Sequence, residues 1–111
     1  MLQQTRTRDV ADDLLAGIEL GMPVFDLTGE KVGTVSHIQN ANLTGVEPVM
    51  VRDSHVKDAP DFIRLRLINT GYIRIKGGLL SPTYYACAEQ IASVMADSVQ
   101  LYAMREELWT L

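Results

Sequence analysis

Val10, Leu14, Leu15 and Ile18 recur near helical spacing within Asp9 to Leu20, and Asp9, Asp12 and Asp13 place negative charge in the first turn, where the helix dipole favours it. The pattern predicts a short amphipathic helix stopped by Gly21. Met22-Pro23-Val24-Phe25-Asp26 then has strand composition. Asp26 at the first turn position and Gly29 at the fourth predict a type I hairpin turn, with Gly29 in the left-handed conformation. The second strand of that hairpin is Lys31 to Ile38, in which Val32, Val35 and Ile38 stand three apart rather than two. A bulge at Gly33 returns Val32 and Val35 to one face.

Gln39 to Pro60 is longer than the ~12–15 residues usual for an irregular connection, with Val49-Met50-Val51 as a strand candidate inside it. From Asp61 to Leu67 two patterns compete. Ile63, Leu65 and Leu67 alternate with Arg64 and Arg66 as in a strand, yet the flanks carry helix punctuation, with Asp58 as a candidate N-cap, Pro60 in the first turn and Gly71 as a C-terminal stop. A hairpin through Asn69-Thr70-Gly71 would set Arg66 against Arg74 and Arg64 against Lys76, each like-charge pair costing about 0.2–1 kcal/mol. The helix is therefore preferred. It places Phe62, Leu65 and Ile68 on one side, and Ile63 and Leu67 on another.

Tyr72 to Lys76 alternates as a half-buried strand, with Ile73 and Ile75 inward. Gly77-Gly78 turns the chain, Thr83 to Cys87 is a shorter strand, and residues 93–102 form a last hairpin with Val99 and Leu101 inward. The tail from Arg105 to Leu111 reads as helical or frayed. The fold class expected is mainly β: a small barrel of five to six short strands with short flanking helices, which removes exposed sheet edges.

The chain has 111 residues, 47% of them apolar, which suits a single core. Its formal charge of −4 opposes long-range attraction to nucleic acid or anionic lipid. The single Cys87 excludes an intramolecular disulfide, and neither a signal-peptide segment nor a membrane-spanning run is evident. A cytoplasmic location is expected.

Candidate chemistry is sparse. Cys87 with His37 or His55 lacks the spacing of a nucleophilic pair, and a Cys among Ala residues reads as core. His37, Asp53, His55 and Asp58 carry ligand atoms without a recurrent metal spacing. No catalytic residue, cofactor or metal is expected, and the chain is read as non-enzymatic. Residues 61–78 carry Arg64, Arg66, Arg74 and Lys76 against Asp61 alone. These four form a candidate anion or RNA patch, with a solvated basic face as the plainer reading. Tyr72 is the only aromatic beside them on the outward face, thin for base stacking, so nucleic acid is not the favoured partner.

Gly21-Met22-Pro23-Val24-Phe25-Asp26 with Gly29-Glu30-Lys31-Val32-Gly33-Thr34-Val35 forms a first block. Gly71-Tyr72-Ile73-Arg74-Ile75, leading through Tyr84-Tyr85 and Gln90-Ile91 to Val94 and Val99-Gln100-Leu101, forms a second. Together they resemble the PRC-barrel superfamily over residues 20–104, the middle segment unmatched; Ala86-Cys87-Ala88 stands where members often have a proline. That fold occurs in the cytoplasmic domain of the photosynthetic reaction-centre H subunit, in a ribosome-maturation factor and in stand-alone bacterial proteins. The resemblance implies an N-terminal helical arm at 1–20, a barrel domain at 21–104 with a 39–70 insertion, and a tail at 105–111.

The function expected is a protein-interaction or assembly module, with a protein partner and homodimerisation. Apolar residues in excess of one small core mark the interface: Phe62, Ile63, Leu67, Leu108, Trp109 and Leu111, with Trp109 as anchor. Gly29, Gly33 and Gly71 are read as structural. Two alternatives remain: an RNA- or ribosome-associated role through the basic segment, and a small-ligand or metal sensor using the 39–60 loop.

Overall fold

The computed structural model describes residues 14–41 and 54–111. Among these residues three helices and seven strands follow in order: α1 (described over 14–16), β1 (Pro23–Phe25), β2 (Lys31–Gln39), α2 (Ser54–Lys57), α3 (Asp61–Thr70), β3 (Tyr72–Lys76), β4 (Thr83–Cys87), β5 (Ile91–Val94), β6 (Val99–Leu101) and β7 (Trp109–Thr110). The fold is mainly β, as the alternation indicated. All seven strands join one sheet in the order β5-β6-β1-β2-β3-β4-β7. Among the described residues no pairing links β5 to β7, so the ladder is open where a closed barrel was expected.

The N-terminal helix stops at Ala16 rather than reaching Leu20. The amides of Gly17 and Ile18 donate to the carbonyls of Leu14 and Leu15, both at 3.1 Å, and these three-residue bonds tighten and end the turn. Leu15 and Ile18 still enter the core. The expected residues before 14, and the strand candidate at 49–51, lie outside the described residues.

The first hairpin follows its turn chemistry. Gly29 N–H donates to Asp26 C=O at 2.9 Å, and Gly29 has φ 90°. Val24 pairs with Gly33 but Phe25 with Lys31, so Val32 is the extra residue of a bulge, and Val32 and Val35 are both buried. At Gly33 a Cβ would lie 2.7 Å from the backbone carbon of Lys76. Close strand approach thus excludes a side chain there. A second bulge, unannounced in the sequence, falls at Ser36, where Val35 pairs with Ile75 but His37 with Arg74.

Residues 61–70 are helical. Pro60, not Asp58, is the N-cap; its φ of −54° and ψ of 147° are non-helical, and its carbonyl accepts from Ile63 and Arg64. Proline disfavours helical backbone at the preceding residue, so Ala59 does not extend α3 toward the N-terminus. Gly71, at φ 81°, ends the helix by donating to Leu67 C=O at 2.8 Å.

The sheet carries apolar residues on both faces. Ile73, Ile75 and Ala86 join Val24, Val35, Val99, Leu101, Leu15 and Leu108 in the larger core. The alternate residues Tyr72, Tyr85 and Cys87 point to the other face and pack with Val56 of α2 and Leu67 of α3. The tail is neither frayed nor simply helical: a 3-10 turn at Arg105–Glu107 leads into β7, which pairs with β4 through Tyr84↔Thr110 and Tyr85↔Trp109.

Candidate functional site

The six residues expected at an interface divide on the structure. Leu67 is fully buried and Leu108 is buried in the larger core, so both serve the fold rather than a partner. Ile63, Trp109 and Leu111 pack around the second core as partly buried walls. Phe62 alone of the six stands exposed, at 72%, and Leu65 follows it at 51%. The two sit three residues apart on the side of α3 away from Leu67, matching the split read from the sequence.

The basic segment is divided between α3 and β3. Arg64 pairs with Asp61 at 2.5 Å and Arg66 with Glu89 at 2.6 Å, so each helix cation is matched by an acid of the chain. Arg74 donates through Nε to Ser36 Oγ at 2.9 Å across the bulge in β2. Lys76 is exposed at the end of β3. The structure therefore spends much of the segment's charge on internal contacts.

Cys87 is buried against Tyr72 and Tyr85. His37 lies with its ring 5.9 Å from that of Tyr72, which in turn is 5.8 Å from Tyr85. Tilted aromatic contacts at such separations are packing contacts. Among the described residues no group of three or more His, Cys, Asp or Glu is placed to hold a metal ion; Asp53 lies outside them.

A different site was not legible in the sequence. A cavity of about 290 Å³ opens where the start of β2, the β3–β4 loop and the 3-10 turn after β6 meet, with Lys31, Gly33, Gly78, Ser81, Tyr84 and Arg105 on its wall. Its position is set by Asp26, buried under the first hairpin turn. One carboxylate oxygen of Asp26 accepts the Thr28 hydroxyl at 2.6 Å, Thr28 N–H at 2.9 Å and Glu30 N–H at 3.1 Å. The Thr28 hydroxyl is the largest influence holding the Asp26 carboxyl below its ordinary value; burial opposes it, and the amides of Glu30, Thr28 and Arg105 add to the lowering. Asp26 thus fastens the turn that delivers Lys31 to the segment that delivers Arg105. The Arg105 guanidinium completes the link by donating to Lys31 C=O at 2.9 Å. The sequence signals were the hairpin turn at Asp26 and the glycine pair at 77–78, but nothing local joined them to Arg105.

Compared with protein-family models, curated proteins and solved structures, the chain matches none.

Proposed function

We propose that this chain is a non-enzymatic protein-interaction module of PRC-barrel-like type, working in the cytosol and pairing with a second copy of itself through the outward face of α3. The observation that carries the reading is the two-sided apolar character of α3: Leu67 and Ile63 face the second core while Phe62 and Leu65 remain exposed. A helix apolar on opposite sides is best stabilised when both are covered, and a short stripe of Phe and Leu is the chemistry of a protein contact. The family reading draws support from the mainly β fold, the Asp26 to Gly29 turn and the bulge beside Gly33. The RNA alternative loses support because Asp61 and Glu89 engage Arg64 and Arg66. Most of the 39–60 loop invoked by the sensor alternative lies outside the described residues.

Sizing with light scattering at micromolar concentration tests the reading. A dimer is expected, converted to monomer by Phe62→Asp with Leu65→Asp while circular dichroism stays unchanged. A wild-type monomer, or a dimer indifferent to both substitutions, overturns pairing through α3.

A further inference from the structure

We propose that the cavity between Lys31 and Arg105 is a binding site for a phosphate group. The first argument is charge. Two cations line it, and among the described residues neither makes an ion pair, in contrast to Arg64 and Arg66. Among the described residues no carboxylate lines the wall; the adjacent Glu30 and Glu106 are exposed and lie outside the lining. Two unpaired cations match a dianion, whereas a carboxylate would neutralise only one.

The second argument is donor inventory. A guanidinium carries five N–H donors, and among the described residues Arg105 donates from one terminal nitrogen to Lys31 C=O, which leaves its other terminal N–H groups for a ligand. Ser81 and Tyr84, two hydroxyl-bearing residues, line the same wall. A tetrahedral oxyanion offers enough acceptor oxygens for ammonium, guanidinium and hydroxyls together, and such charge-assisted bonds are the strong ones. The volume, about 290 Å³, admits a phosphate on a small organic group and lies just under the range usual for ligand pockets.

Two sources present this chemistry, a soluble phosphomonoester and a lipid headgroup. The lipid has one local feature in its favour. The loop carrying Gly78 and Ser81 also displays Leu79 and Leu80, exposed at 92% and 101%, beside the cavity. Exposed leucines next to a cationic site suit the boundary between headgroups and acyl chains.

The experiment uses the full chain. Inorganic phosphate is titrated by calorimetry and by thermal melting, and phosphatidylcholine vesicles with and without phosphatidic acid are tested by co-sedimentation. Binding in at least one arm is expected, weakened at least tenfold by Lys31→Gln and by Arg105→Gln but not by Lys57→Gln, an exposed cation elsewhere. Leu79→Ser with Leu80→Ser should leave phosphate binding intact and abolish vesicle binding if the lipid is the source. Lys31 is exposed, so Lys31→Gln keeps the test valid if the Arg105 variant fails to fold. Absence of binding in both arms, or binding unaffected by Lys31→Gln, overturns the site.

Discussion

Asp26 concentrates in one side chain several of the contacts that hold the turn end of the molecule. Its carboxylate is buried and accepts three bonds from Thr28 and Glu30, while its backbone carbonyl accepts from Gln100 Nε2 at 2.6 Å. Because its folded pKa lies below the ordinary 3.8, it contributes stability that is present above that pH and is lost as pH falls through the folded value. Asp26→Asn should therefore destabilise by about 2 kcal/mol near neutrality, with the gap to wild type narrowing below pH 3.8. Urea unfolding across pH checks both the size and the sign. Gly33 makes a steric case instead. A side chain there meets the Lys76 backbone, which cannot yield as a flexible side chain would, so Gly33→Val should cost more than about 1 kcal/mol. An unchanged melting temperature would sink that account.

At the scale of the element, the sequence of α3 carries both a strand alternation and helix punctuation, and its charges decide between them. As a helix it pairs Arg64 with Asp61 and brings Arg66 to Glu89, where the hairpin alternative would have opposed arginine to arginine and arginine to lysine. Its orientation is testable. Leu67→Ala removes a fully buried side chain and should cost about 3 kcal/mol, whereas Phe62→Ser should change the stability of the isolated chain by no more than about 0.5 kcal/mol. Chemical denaturation at concentrations below self-association separates the two. The reverse order of effects would mean that the helix is rotated on the sheet.

Across the whole molecule the C-terminal segment is structural. Leu108 fills the larger core, Trp109 and Leu111 wall the second, and β7 protects the outer edge of β4. Removal of residues 105–111 should lower the melting temperature by at least about 10 °C, given the apolar burial lost and the sensitivity of a domain this small. It should also raise amide exchange in β4 before β2 and β3, which keep neighbours on both sides. A truncated chain that melts with the wild type would return the tail to the status of a frayed end.

What the sequence determined by itself was local. The Asp26 to Gly29 turn, the bulge beside Gly33, the stop at Gly71, the alternation in β3 and the last hairpin are each written in residues a few positions apart, where backbone sterics and side-chain period act directly. Tertiary structure decided the rest. The parallel pairing of β1 with β6, the docking of β7 on β4 and the open ladder depend on long-range contacts that no short window encodes. The expected interface set divides on the same ground. Hydrophobic type distinguishes burial from exposure on average, but only packing decides that Leu67 and Leu108 are consumed internally while Phe62 is left outside. The Lys31 and Arg105 cavity is the clearest instance, because its two cations lie 74 residues apart and meet only through the turn that Asp26 holds. Charge in a sequence is a count per segment; charge at a site is a question of which acids the fold brings near, and that is settled by the packed chain.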